Sequence, residues 1–222
     1  MKTKVALIFS GCGVYDGSEI SESVLTMLAL AKADADVTYL APDIAQKHVI
    51  NHTTGEAMED ETRNVRVEAA RITRGQMLSL DQVQAEDFDA FIYVGGFGAA
   101  KNLSSYAFDG IEYDADPGVV DLIQAAHKAG RPQGFMCISP VLAAKALGPS
   151  GIVLTIGNDP DTAKALESKG ATHQECPVDT IITDQANRVV STPGFMLGES
   201  ILDIEPGIQR LVEAVLQLVK QR

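Results

Sequence analysis

The chain has 222 residues, 45% hydrophobic and 22% charged, with a formal net charge of −12 from 30 Asp plus Glu against 18 Lys plus Arg. This composition excludes a disordered or fibrous chain, and the length allows one large domain or two small ones. The acidic balance repels phosphate backbones and anionic membrane surfaces. With no Trp and 5% aromatic residues, base-stacking platforms are also hard to assemble, so neither nucleic acid nor membrane is expected as a partner.

Lys4–Phe9 is an unbroken apolar run, the mark of a strand covered on both faces. Its apolar stretch is shorter than the roughly 7–15 residues of a signal-peptide core, and no run approaches the roughly 18 residues that span a bilayer. A Gly-rich turn follows, Gly11-Cys-Gly-Val-Tyr-Asp-Gly17, and Ser18 or Ser21 is placed to cap a helix with apolar positions Val24, Leu25, Leu28 and Ala31. Asp36–Ala41 predicts a second strand, Asp43–Glu61 a polar insertion, Thr62–Thr73 a helix, and Asp89–Val94 a buried strand running into Gly95-Gly-Phe-Gly98. Pro117–Ala129 predicts a helix with Pro at its start and Gly130 after its end. Pro132–Met136 predicts a short strand, Ser139–Leu147 a helix, Ile152–Ile156 a strand and Pro160–Lys169 a helix. Thr180–Thr183 and Arg188–Ser191 predict a hairpin pair, and Ile208–Val219 a closing amphipathic helix. Strands alternating with helices argue for βαβ units and a mainly parallel sheet with helices on both faces. Residues 1–222 read as a single α/β domain.

Three cysteines, Cys12, Cys137 and Cys176, are an odd number in a chain long enough to need no bridges. That points to a reducing compartment, and the expectation drawn from it is a cytoplasmic protein. The glycines at 11, 13 and 17 miss the dinucleotide-binding spacing, and Asp16 would face a pyrophosphate with the wrong charge. A tight strand-to-helix turn is the better reading. Cys137 stands where a strand gives way to a helix, at the sheet edge where open α/β folds place ligands. A helix N-terminus there is expected to lower the thiol pKa. Position alone leaves a nucleophile and an inert buried thiol both open. His48 and His52 have ligand spacing but no Cys nearby, so no metal is expected.

Gly134-Phe-Met-Cys-Ile-Ser-Pro140, Val94-Gly-Gly-Phe-Gly-Ala-Ala-Lys-Asn-Leu103 and the acidic first helix resemble the PfpI superfamily, which is class I glutamine-amidotransferase-like. Ser10-Gly-Cys-Gly-Val-Tyr-Asp-Gly-Ser-Glu-Ile20, Asn51-His-Thr-Thr-Gly-Glu-Ala-Met58, Thr62-Arg-Asn-Val65 and Glu68-Ala-Ala-Arg-Ile-Thr-Arg-Gly75 resemble its ElbB-type glyoxalases. The similarity runs from Lys4 to the last helix. It implies a flavodoxin-like three-layer sandwich, a homodimer, and a cofactor-independent glyoxalase that turns glyoxal or methylglyoxal into the 2-hydroxy acid, with protein deglycation as a related activity. Carried over residue by residue, Cys137 falls on the nucleophile, and the backbone N–H groups of Gly96 and Ile138 on the oxyanion hole. Glu22 falls on the acidic residue that exchanges a proton with the thiol, with Glu19 one turn earlier as its competitor and a solvated helix carboxylate as the plain alternative. Cys12 is either a resolving thiol or a small residue packed in the turn. One departure stands out: Ile138 occupies the position after the cysteine, and Ile156-Gly-Asn-Asp159 the later loop, where many superfamily members carry His. His127 and His173 lie in a helix and a polar connection, so proton transfer falls to Glu22 or water. The rival function is a redox or stress-response protein whose Cys137 is oxidised.

Overall fold

A computed structural model describes residues 2–221. The chain runs β1 (Lys4–Ile8), α1 (Ile20–Lys32), β2 (Asp36–Ala41), a hairpin of β3 (Ile50–Asn51) and β4 (Glu56–Ala57), α2 (Val65–Ala69), β5 (Leu78–Ser79) and β6 (Ala90–Tyr93). It continues through α3 (Phe97–Lys101), α4 (Tyr106–Asp109), α5 (Pro117–Lys128), β7 (Gln133–Met136), α6 (Pro140–Leu147), β8 (Val153–Leu154), α7 (Pro160–Ser168) and β9 (Thr172–His173). β10 (Ile182–Asp184), β11 (Val189–Thr192) and α8 (Ile201–Lys220) complete it.

The large sheet has the order β10-β11-β7-β6-β1-β2-β5. Every neighbouring pair is parallel except β10 with β11. The apolar strands feed both faces alternately. Val5, Leu7 and Phe9 join the layer packed against α1, α2 and α8, whereas Ala6 and Ile8 join the layer under α5, α6 and α7. β6 repeats this, with Ala90 and Ile92 on one side and Phe91 and Tyr93 on the other. That two-sided burial is why these strands read as continuous apolar runs. The result is a flavodoxin-like three-layer sandwich.

Four expectations about elements are corrected. Neither Ser18 nor Ser21 caps α1: Glu19 does, its side chain accepting from Glu22 N at 2.6 Å, while Ser18 Oγ accepts from Ser10 N. Within Thr62–Thr73 only α2 is helical; beyond it Thr73 Oγ1 bonds the Gln76 carbonyl, the local competition with helix that Thr offers. The strand expected over Ile152–Ile156 is the two-residue β8, which pairs with β9 outside the large sheet. The last helix starts at Ile201, not Ile208, because Ser200 and Asp203 form a capping box. Pro206 is tolerated near its start.

The strand C-termini place the chemistry. β1 leads into the Gly11–Gly17 turn, β6 into Gly95-Gly96, β7 into Cys137, and β11 into Gly194. The chain steps from β1 to β2 on one side and returns to β6 and β7 on the other. The crevice at that reversal is the usual ligand position of an open α/β sheet.

Candidate active site

Cys137 follows β7 directly and has φ +59°, a left-handed conformation that non-glycine residues adopt at a cost of about 1–3 kcal/mol when the surroundings enforce it. Its N–H donates to the Thr192 carbonyl at 3.1 Å, tying the elbow to β11. The side chain is 7% exposed, and the backbone N–H groups of Gly96 and Ile138 point at its sulfur.

Glu22 lies on the inward face of α1 and is 0% exposed. Oε1 accepts from Phe195 N at 3.0 Å. Oε2 is buried without a fixed hydrogen-bond partner and lies by the Cys137 thiol and the Gly95 backbone. Burial dominates its titration, with Glu19's charge adding to it, and pushes the Glu22 carboxyl up to about 7 against the pull of the Phe195 N–H.

Two glycines make the close approach possible. A Cβ at Gly95 would collide with Glu22 Oε2 and Cys137 Cβ and come within 3.0 Å of Cys137 Sγ. Gly96 has φ +95°, and a Cβ there would strike Glu19 N and Gly17 O. Only a bare backbone brings the Gly96 N–H to the sulfur.

The expected lowering of the thiol pKa is corrected. Burial and the Glu22 charge hold Cys137 above the ordinary thiol range, against the opposing pull of the Gly96 and Ile138 N–H groups. The positive end of α6 does not outweigh the loss of water around the sulfur.

Glu19 lines the cavity over Cys137 as well as capping α1. Cys12 does not line it; its charged neighbours are Glu68, Arg71 and Asp16, and burial raises its thiol. His173 Nε2 accepts from Ile156 N, and His52 Nε2 from Tyr15 N, while His48 stands edge-on to Phe108. None of these histidines lines the cavity. Asp16 accepts from Ile50 N at 2.7 Å, so its carboxylate ties the Gly-rich turn to β3. Asp159 reaches the cavity wall from the loop where the family resemblance expects a histidine. Sequence reasoning missed the tie from Phe195 to Glu22 and the placing of Thr162 on that wall; these partners are distant in the chain and no local pattern announces them.

The cavity over Cys137 has a volume of about 320 Å³. A larger open groove of about 630 Å³ runs past Lys47, Lys101, Asp109 and Asp114. It shares no lining residue with the first and holds neither Cys137 nor Glu22. Glu22 lines neither space and lies buried behind the thiol; Cys137 on its wall marks the smaller cavity as the candidate site.

No family model matches the sequence. The chain is 43% identical over 226 residues to the rat mitochondrial ES1 protein homolog, covering 98% of this chain and 84% of the relative. It is 43% identical over 224 residues to the human mitochondrial glutamine amidotransferase-like class 1 domain-containing protein 3, covering 97% and 83%. Among solved structures, an isoprenoid biosynthesis protein with an amidotransferase-like domain from Ehrlichia chaffeensis superposes with a TM-score of 0.90 at 34% identity, covering 97% and 99%. Candida albicans glyoxalase III superposes at 0.59 with 15% identity, covering 98% and 96%, and shows the fold alone. The expectation of a cytoplasmic location is corrected by the relatives, which are named as mitochondrial. An odd number of unpaired thiols speaks against a bridge framework and does not tell one reducing compartment from another.

Proposed function

The chain belongs to the ES1 family of glutamine amidotransferase-like class 1 proteins, and on that footing we propose that it is a cofactor-independent glyoxalase with Cys137 as nucleophile. Within the family we place it with the ElbB-type branch, on the sequence strings quoted above. The observation that carries the reading is the Cys137–Glu22 pair, buried together beneath two converging N–H groups.

A carboxyl titrating near 7 matches what a general base needs at neutral pH. Glu22 takes the thiol proton as sulfur adds to the aldehyde carbon of methylglyoxal, and the Gly96 and Ile138 N–H groups hold the resulting oxyanion. Glu22 returns that proton to the oxygen, giving the hemithioacetal, then removes the C1 hydrogen as a proton. Glu22 returns that proton to C2 of the resulting enediolate while the C1 hydroxyl proton passes to the C2 oxygen, leaving the lactoyl thioester. Water hydrolyses the thioester, which restores the thiol and releases lactate, so the sum is methylglyoxal plus water to the 2-hydroxy acid.

The second reading, oxidation of Cys137 in a stress-response protein, is favoured by the lack of any histidine among the cavity's lining residues. Turnover separates the two. Wild-type protein should convert methylglyoxal to lactate, Cys137→Ala should abolish this while still unfolding cooperatively, and Cys176→Ala should match wild type. A Cys137→Ala protein with full activity refutes the covalent mechanism. Homodimerisation is carried over from the family resemblance as a proposal, and light scattering that finds a monomer at micromolar concentration refutes it.

A further inference from the structure

The cavity over Cys137 is much larger than the smallest dicarbonyl. Its volume of about 320 Å³ lies at the lower end of the range for pockets that enclose whole small molecules, about 300–1,000 Å³. Val14, Phe97, Ala100, Ile138, Phe195 and Met196 supply an apolar wall. Among the described residues the charged groups on that wall are Glu19 and Asp159, and no Lys, Arg or His joins them.

Both carboxyl groups are fixed in place. Asp159 caps α7, with Oδ1 accepting from Thr162 N at 2.8 Å, and the Thr162 hydroxyl and backbone hold its carboxyl below the usual range. Glu19 is held by the Glu22 N–H. Lys101, one turn along α3 from Phe97, is engaged elsewhere: Nζ donates to the Tyr15 carbonyl at 2.8 Å and lies 5.3 Å from the centroid of the Phe97 ring. The Tyr106 hydroxyl, also on the wall, donates to Thr162 Oγ1 at 2.8 Å, which leaves its oxygen as an acceptor.

We infer that the site takes uncharged 2-oxoaldehydes bearing an apolar aryl or branched alkyl substituent in preference to glyoxal, and rejects anionic carbonyl compounds. The inference rests on the glyoxalase reading for its reaction and on the cavity wall for its selectivity. With the aldehyde carbon at Cys137 Sγ, a substituent has an apolar wall to cover, and each buried CH₂ adds about fourfold in affinity. An anionic substituent would instead lose its water beside two carboxyl groups, with no cation to receive it.

The test has two arms. In the first, kcat/KM is measured for phenylglyoxal, methylglyoxal and glyoxal. In the second, Cys137 is alkylated with phenacyl bromide, iodoacetamide or iodoacetate, and the rates are read by peptide mass spectrometry and normalised to glutathione. Wild type and Asp159→Asn are compared, since Asn caps a helix as well as Asp does. Phenylglyoxal should exceed glyoxal by at least about tenfold. Iodoacetate should trail iodoacetamide by at least about tenfold, and Asp159→Asn should narrow that gap several-fold. Glyoxal outpacing phenylglyoxal, iodoacetate keeping pace with iodoacetamide, or a gap indifferent to Asp159→Asn overturns the inference. If no dicarbonyl is consumed while the alkylation order holds, the glyoxalase reading fails and the selectivity stands. Turnover without selectivity does the reverse.

Discussion

Helices α1 and α5 cover opposite faces of the same sheet and bury opposite kinds of residue. α5 turns Val119, Leu122, Ile123 and Ala126 inward, as an amphipathic surface helix should. α1 turns Glu22, Ser23, Thr26 and Leu30 inward and leaves Ile20, Val24 and Leu28 46%, 50% and 47% exposed. The hydroxyls of Ser23 and Thr26 are satisfied locally by the Glu19 and Glu22 carbonyls. Glu22 Oε2 has no such partner. α5 is oriented by the hydrophobic effect. α1 carries a carboxyl into the protein against that effect, and an inward-facing ionisable group beside a thiol in a cleft marks a candidate functional site.

The largest stability effect should fall on α5. Ile123→Ala should cost about 2–5 kcal/mol in denaturant unfolding, the usual range for a core Ile or Leu cut to Ala. The contrast is broken if this substitution proves mild. Next comes the pH dependence of Glu22. Its folded pKa is raised above the unfolded value, so between about 4.5 and 7 the folded state holds the extra proton. The stability this represents is fully present below about 4.5 and is lost as pH rises through about 7, by about 3 kcal/mol. Glu22→Gln should flatten that slope and leave the variant more stable than wild type at pH 8, which urea midpoints across the range would show. The smallest effect belongs to the outer stripe of α1: Val24→Ala should shift stability by no more than about 0.5 kcal/mol.

The same contrast explains what could be read from the chain. β1 and β6 were legible because their apolar runs satisfy both faces of a parallel sheet, and α5 because its stripe, Pro117 and Gly130 agree. In α1 the helix itself was legible but its orientation was not. Val24, Leu25, Leu28 and Ala31 have helical spacing, yet Val24, Leu28 and Ala31 are exposed and Leu25 is only partly buried. Periodicity identifies a stripe and assumes that the stripe is buried. Cys137, Gly96, Ile138 and Glu22 came together because the sequence around them resembles a family. The raised thiol pKa did not follow from sequence, because burial and the Glu22 charge outweigh the helix end and depend on residues far apart in the chain. The start of α8 was set too late, beyond Pro206, although Ser200 and Asp203 carried the capping signal.

On the glyoxalase reading the carboxyl on the inward face of α1 moves the proton for Cys137. The most direct test is methylglyoxal turnover by Glu22→Gln beside Glu19→Gln, at pH 7 and saturating substrate. Glu22→Gln keeps a hydrogen-bonding side chain but cannot pass a proton, so kcat should fall by about 10²–10⁴-fold. Glu19→Gln alters the α1 cap and the cavity wall and should fall far less. A Glu22→Gln protein that turns over as wild type, or a defect carried by Glu19→Gln instead, would contradict the account.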